Sequence, residues 1–365
     1  MKIKNLCSYA PKSKIKAGEA VENAKYLFFT SSTDENKRYT DFQFDKEAII
    51  MGTGGNATLH YYNGKFSVST DCLVLLPNSK IKCKYLYYFF KSHMSVLEAG
   101  FKGAGLKHTN KKYIEEININ EVPDLTTQEK IISHLDTISD NTEKLNRELE
   151  LFDSLTKARF VEMFGDPEEN PFNWEKTLLT KVIINANNGM ARRGNDKDGN
   201  IVMRLVELQD GYIDYSNPNR IILKDNEKKR YLLKDKDFLF ARVNGNPDNV
   251  GRCAVFHDIG EDVYHNDHII RVHFDEELLN GTFASALFNS DYGKKQLKSQ
   301  IKTSAGQYTV SQDGIGAIAT ILPPAKLQNQ FADFVHQVDK SKLAVQKSLD
   351  KTQQLFDSLM QEYFG

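Results

Sequence analysis

Two stretches of this chain are written on one pattern, and together they constrain its architecture more than any other feature. VPDLTTQEKIISHLDTI at 122–138 aligns with LPPAKLQNQFADFVHQV at 322–338 at an offset of 200, matching Pro123 with Pro323, Gln128 with Gln328, Ile131 with Phe331 and Leu135 with Val335. LFDSL then stands at 151–155 and again at 355–359. That offset of 204 (355 minus 151) predicts a four-residue insertion, about one helical turn, so that the first copy is one turn shorter.

Apolar residues fall on alternating steps of four and three: Ile131, Leu135, Ile138, Leu145, Leu149 and Phe152 in the first copy, Val338, Val345, Leu349, Phe356 and Leu359 in the second. Polar Thr142, Thr156, Lys342 and Thr352 fill the remaining seam positions. Such a stripe suits one partner helix. Each segment would be a helix of about 60 Å, too long to stand alone in water. Pro123 and Pro323 precede the helices, and Gly165-Asp166-Pro167 stops the first.

The regions left over, 1–122 and 166–322, read as mixed α/β, with short β-branched and aromatic runs between Gly, Asn and Asp turns. Each ends in a helix-like stretch, KYLYYFFKSHMSVLEAG (84–100) or FASALFNSDYGKKQLKSQI (283–301), followed by a polar loop, KGAGLKHTN or TSAGQYTVS. The fold class expected is α+β: two mixed α/β domains, 1–122 and 166–322, alternating with helical regions 123–165 and 323–365 in a pseudo-twofold internal repeat. Length alone favours several domains, since 365 residues exceed what one core usually supports.

No apolar stretch approaches the roughly 20 residues needed to cross a bilayer, and MKIKNLCSYAPKSKIK has no apolar core of a secretory signal, so a cytoplasmic location is expected. Cys7, Cys72, Cys83 and Cys253 form no CxxC pair, which favours reduced, buried thiols over a disulfide framework or zinc site. A formal net charge of −1 supplies no strong field for phosphates, so a nucleic-acid role would need local basic patches or a basic partner.

Catalytic motifs are wanting. MGTGGNATLH lacks the lysine of a phosphate loop and reads as a hairpin turn. PDLTTQEK has the letters of a nuclease motif crowded into a helix start, where Asp124 or Thr126 would cap backbone amides. ENPFNW lacks the second proline of an amino-methyltransferase motif and reads as a linker. NDKDGN lacks the later ligands of a calcium loop, and no metal site is expected. His257, His265, His268 and His273 cluster in sequence without a metal-binding spacing.

The paired segments PDLTTQEKIISHLDTI…LFDSL and PPAKLQNQFADFVHQV…LFDSLMQEYF, with DFLFARVN…NVGRCAVF and WEKTLLTKVI, resemble the DNA specificity (S) subunit of Type I restriction-modification systems along essentially the whole chain. The resemblance implies two target-recognition domains, each reading one half of a bipartite double-stranded DNA target, held apart by a long antiparallel coiled coil. It implies docking of two methyltransferase (M) subunits and, through them, nuclease/translocase (R) subunits. Catalysis and S-adenosylmethionine would belong to the methyltransferases, leaving this chain non-catalytic and without a cofactor of its own. Recognition-domain sequence begins almost at Met1, which leaves open a trimmed terminus and a Type IIB-like or orphan swapping subunit. A scaffold with two protein-binding heads, and a hydrolase using the histidines at 257–273, are the readings from other classes.

Base edges are read by Arg on guanine and Asn or Gln on adenine, while Lys and backbone amides hold phosphates. On that chemistry the candidates in the first domain are Thr53, Gly54, Gly55, Asn56, Lys102, Lys107, His108, Asn110, Lys111 and Lys112. In the second they are Arg192, Arg193, Arg242, Asn244, Asn246, Asn249, Lys302, Ser304, Gln307 and Tyr308.

Overall fold

The computed structural model describes residues 1–304 and 306–365, with the backbone alone of Ser304. It divides into two compact units, Met1–Arg147 with Gln346–Gly365, and Glu148–Val345.

The first unit is built on a six-stranded sheet of β1 (Cys7–Tyr9), β2 (Tyr26–Phe29), β3 (Arg38–Tyr39), β4 (Phe44–Gly52), β5 (Leu59–Val68) and β6 (Cys72–Pro77). Their spatial order is β1-β6-β4-β5-β2-β3. β4 and β5 form an antiparallel hairpin, from Phe44 opposite Phe66 to Met51 opposite Leu59, so MGTGGNATLH is the hairpin turn its composition suggests. AIIMG in β4 is buried throughout, as expected of a continuous apolar run in a central strand. The stretch expected to form one helix at 84–100 is two, α1 (Cys83–Ser92) and α2 (Met94–Ala99), broken at His93. α3 (Lys111–Glu116) and α4 (Leu125–Phe164) follow. Leu86, Phe89 and Phe90 of α1 join Ile49, Met51 and Leu75 of the sheet in one core, closed by Ile131 and Leu135 of α4 and by Met360 and Phe364 of the chain's last helix.

The second unit carries more and smaller sheets. Its elements are β7 (Glu175–Leu178), β8 (Ile183–Asn188), β9 (Asn200–Met203), β10 (Arg220–Ile221), α5 (Asp225–Tyr231), β11 (Phe238–Ala241), β12 (Val243–Asn244), β13 (Cys253–Val255), β14 (Val263–His265) and β15 (Ile269–Phe274). Then come α6 (Gly281–Phe288), α7 (Asp291–Ser299), β16 (Lys302–Ser304), β17 (Gln307–Thr309), α8 (Gln312–Gly316), β18 (Ala319–Leu322) and α9 (Ala325–Phe364). A four-stranded sheet, β13-β11-β15-β8, is flanked by the smaller sheets β10-β9-β14, β12-β17-β16 and β18-β7. The expected helix at 283–301 is also broken, because Ser290 accepts from the amide of Gly293 and caps α7. TSAGQYTVS, expected as a loop, contains the antiparallel pair β16–β17. Phe238, Phe240, Phe283 and Phe288 form the core with Phe160 and Phe164 of α4 and Phe331 of α9.

Within each unit the two long helices run in opposite directions. In the first, His134 near the start of α4 meets the hydroxyl of Tyr363 near the end of α9, Nδ1 to Oη 2.9 Å. In the second, Phe160 near the end of α4 meets Phe331 near the start of α9, ring centroids 5.6 Å apart. The seam residues follow the expected steps: Leu135 and Val338 are buried, and Leu145, Leu149, Phe152, Val345, Leu349, Phe356 and Leu359 are half-buried.

The expected insertion is absent. Both helices have 40 residues, and their ends, Leu125 and Phe164 against Ala325 and Phe364, are separated by 200 throughout. Burial repeats at the same offset, with Phe160 and Met360 buried, as are Phe164 and Phe364. The two LFDSL phrases therefore sit one turn apart on helices of equal length. A shift by one turn rotates a residue only a few tens of degrees, so both Phe152 and Phe356 still reach the seam and the misalignment is invisible in sequence.

The repeated letters at the helix starts have a direct cause. Gln128 and Gln328 are fully buried. Gln128 Oε1 accepts the Lys82 amide at 2.7 Å while Nε2 donates to the carbonyls of Pro123 at 2.8 Å and Lys80 at 3.2 Å. Gln328 repeats this on the Asn280 amide at 2.8 Å and the carbonyls of Pro323 at 2.7 Å and Leu278 at 3.0 Å. Asp124, not a nuclease carboxylate, caps α4 by accepting from the amides of Thr126 and Thr127, both 2.9 Å. Gly165, at φ +74°, ends α4 in the left-handed region that favours glycine. All four cysteines are free and buried, and burial pushes the Cys7 and Cys72 thiols up to about 12. No helix among the described residues is long and apolar enough to cross a membrane.

Candidate nucleic-acid interface

In the first unit the fold brings two separate candidate loops together. The β4–β5 turn is tied to the segment after α2 by the Gly55 amide on the Lys107 carbonyl at 2.9 Å and the Thr109 amide on the Thr53 carbonyl at 3.0 Å. Lys102 and His108 exchange backbone hydrogen bonds of 2.9 and 3.0 Å, closing the second loop on itself. Beneath, Thr53 is anchored twice, its amide on Ser31 Oγ at 3.0 Å and its hydroxyl on the Asp71 carbonyl at 2.9 Å. Gly55 takes φ +82°, which a residue with a Cβ rarely adopts.

The result is a rigid turn carrying exposed side chains. Asn56, Lys102, Lys107, His108 and Lys112 are exposed, and none of these side chains is engaged by a hydrogen bond or ion pair among the described residues. Two candidates are already committed. Asn110 is the N-cap of α3, accepting from the Tyr113 amide at 3.0 Å, and Lys111 pairs with Glu115 at 3.5 Å and lies 4.5 Å from the Tyr9 ring centroid.

In the second unit, Arg193 and Arg242 converge on Asp267. Arg193 Nη2 donates to the Asp267 carboxylate at 2.6 Å and lies 3.1 Å from His268 Nε2, and Arg242 Nη1 donates to the Asp267 carbonyl at 3.0 Å. Burial first, and then the Arg193 charge, lower the His268 pKa and keep the ring neutral beside the two guanidinium groups. From Arg242 the chain runs directly into β12, where Asn244 pairs with Tyr308 of β17, and β16 brings Lys302 opposite Thr309. Arg193, Arg242, Lys302, Gln307 and Tyr308 thus share one region, with Lys302 and Gln307 exposed.

Arg192 does not join them. Its guanidinium makes a fork onto Glu227, 3.0 and 2.7 Å, and reaches the Ile222 carbonyl at 2.8 Å. That pair holds the Glu227 carboxyl down to about 2. Asn244 and Asn246 spend their side-chain oxygens on the amides of Asn246 and Asp248, at 2.9 and 3.0 Å, shaping the turn into Pro247–Asn249. Asn249 is half-buried at the end of that turn. The side chain of Ser304 lies outside the described residues.

The four histidines do not assemble a hydrolytic centre. His265 is fully buried on the Tyr231 carbonyl, His273 faces Asp237, His268 faces Arg193 and His257 lies against the His336 ring. Sequence reading missed Asp267 and His268 as the groups that hold the arginines; the only signal was the polar NDH run between two apolar strands. It also missed the outward faces of the long helices, where Leu151, Leu155, Leu343 and Leu355 are exposed.

Residues 1–151 match the family model described as the Type I restriction modification DNA specificity domain. Over 316 residues, covering 82% of this chain and 68% of the relative, the sequence is 26% identical to the Type I restriction enzyme StySPI specificity subunit of Salmonella potsdam. It is 22% identical over 341 residues to the EcoKI specificity subunit of Escherichia coli (strain K12), covering 87% of this chain and 73% of the relative. A crystal structure of the S subunit of a Type I restriction-modification system from M. genitalium matches with a TM-score of 0.70 at 16% identity, covering 100% of this chain and 95% of that chain, a likeness of fold.

Proposed function

We propose, from a chain whose first 151 residues belong to the Type I restriction modification DNA specificity domain family and which is similar over most of its length to specificity subunits, that this protein is the sequence-specific DNA-recognition subunit of a Type I restriction-modification complex. The observation that carries the reading at residue level is the joining of the 53–56 turn to the 102–110 loop, which presents unpaired Lys102, Lys107 and His108 from a backbone fixed by hydrogen bonds. Lysines there would hold phosphates and set register, while neighbouring polar side chains read base edges.

In this reading, 1–122 and 166–322 are target-recognition domains, each taking one half of a bipartite duplex target, and α4 and α9 form an antiparallel coiled coil. The methyltransferase subunits dock on its outward leucines, with Ile131, Leu135, Ile138, Val338 and the other seam residues holding the helices to each other. S-adenosylmethionine and nucleotide hydrolysis belong to those partners, and the work is done in the cytoplasm. A net charge of −1 supports a division in which the partners supply much of the phosphate clamp.

The test is a gel shift of the chain with a cognate methyltransferase, followed by methylome sequencing of cells carrying both. A split methylated motif that depends on this chain is the expected result. Methylation at a continuous motif, or a motif unchanged when the chain is removed, would refute the reading.

A further inference from the structure

A cleft of about 490 Å³ opens in the first unit between β5, α1 and the N-terminal part of α4. None of its lining residues belongs to the DNA-reading loops. Tyr61, Tyr62 and Tyr87 give it aromatic walls, the Tyr61 and Tyr87 rings standing 5.7 Å apart at 46°. Its volume is that of sites for small organic ligands.

Two groups that line the cleft have an unmet polar atom or charge among the described residues. His60 is 7% exposed; its Nδ1 lies 3.2 Å from the Glu35 carboxylate, while its Nε2 is buried with no partner. With the Glu35 carboxylate accepting from Nδ1–H, Nε2 of the neutral ring is an unmet acceptor on a residue that lines the cleft, and a buried acceptor left unmet costs about 1–3 kcal/mol. Lys91 stands with its ammonium 5.9 Å from the Tyr87 centroid and 5.1 Å from that of Phe356. It has no carboxylate partner among the described residues, unlike Lys84, which pairs with Asp136 at 2.7 Å. Partial burial lowers the Lys91 pKa, with Glu35 opposing.

Flat faces, one acceptor and one cation with no carboxylate in contact define a ligand with a planar ring, a hydrogen-bond donor and an anionic group. We propose that this cleft binds a mononucleotide unit, its base against the tyrosines with an N–H given to His60 Nε2 and its phosphate at Lys91. One phosphate suffices: Asp136 is neutralised by Lys84, while Asp140 and Glu35 remain at the rim and repel further negative charge. The same unit can come from a free nucleotide or from an unpaired position of a DNA strand.

Isothermal titration of the full chain with AMP, GMP, CMP and TMP, with adenosine and inorganic phosphate as controls and a short single-stranded oligonucleotide as a separate arm, tests this. At least one mononucleotide should bind, its nucleoside about tenfold more weakly, and Lys91→Met should weaken binding by about tenfold without moving the melting temperature. His60→Phe should weaken it as well; if that variant fails to fold, Lys91→Met alone decides. Saturable, Lys91-dependent binding of the oligonucleotide but of no mononucleotide would assign the source to a DNA strand. No saturable binding of either up to about 10 mM, or binding indifferent to Lys91→Met, overturns the proposal. Lys107→Ala, which removes a proposed phosphate contact, should leave mononucleotide affinity unchanged, so loss of DNA recognition and loss of this site are separately visible.

Discussion

Lys107 and Arg192 illustrate how far a residue type predicts a role. Both are cations in polar loops, but Lys107 stands free while Arg192 is folded back onto Glu227, 35 residues away. Nothing in the local sequence announces that partner, just as nothing in NGNPDN tells a base-reading asparagine from one that shapes a turn. Chemistry at a position was legible; its commitment elsewhere was not. Lys102→Ala and Lys107→Ala should each weaken DNA binding by the assembled complex nearly uniformly across sequences and reduce the salt slope by about one, measurable by fluorescence anisotropy from low to high salt. Arg192→Ala should leave affinity within twofold, and Arg242→Ala should relax one position of the motif.

His265 supplies a second prediction at this scale. Burial lowers its pKa from 6.5 to about 4. The unfolded chain therefore takes up the proton first as pH falls. Stability contributed by the neutral ring is present in full above about pH 6.5 and is lost progressively down to about pH 4, for a total of about 3 kcal/mol. Denaturant melts across that window should show the fall, and His265→Gln should flatten it.

At the scale of elements, the repeat was readable because it has a mechanical origin. Among the described residues, the carbonyls of Pro123 and Pro323 are met by the buried Gln128 and Gln328, so proline and glutamine recur together. Gln128→Leu or Gln328→Leu strands an amide and two carbonyls and should cost about 2–4 kcal/mol in urea melts. What misled was the phrase LFDSL, since letters align by identity but helices align by which face is buried. The broken helices at His93 and Ser290 were unreadable for a similar reason, because apolar spacing continues across both breaks. Leu151→Lys with Leu155→Lys should change stability by no more than about 0.5 kcal/mol, the usual range for exposed positions. The same pair should weaken methyltransferase docking, read by size-exclusion chromatography of the mixed subunits.

For the whole molecule, composition only excluded classes, the doubled frame gave the architecture, and the functional reading came from the resemblance to a family. Among the described residues, the two units share helix starts and a helical seam but not sheet topology, six strands in one sheet against four smaller sheets. Two unlike surfaces predict two independently alterable half-sites. Substituting Asn56 and His108 should alter one half of the methylated motif, and substituting Arg242 and Gln307 the other, as long-read methylome sequencing would show. A change in both halves from either pair would count against one domain per half-site.

The displaced phrase also bears on inheritance. A crossover between the two LFDSL coding stretches would delete 204 residues and leave a half-length chain whose single long helix has 36 residues, one turn short of its parents. Phe364 would then land where Phe160 stood, and the closing turn would be lost. A crossover 200 residues apart would restore all 40. Shortened descendants of this gene should therefore break outside the most similar words it contains.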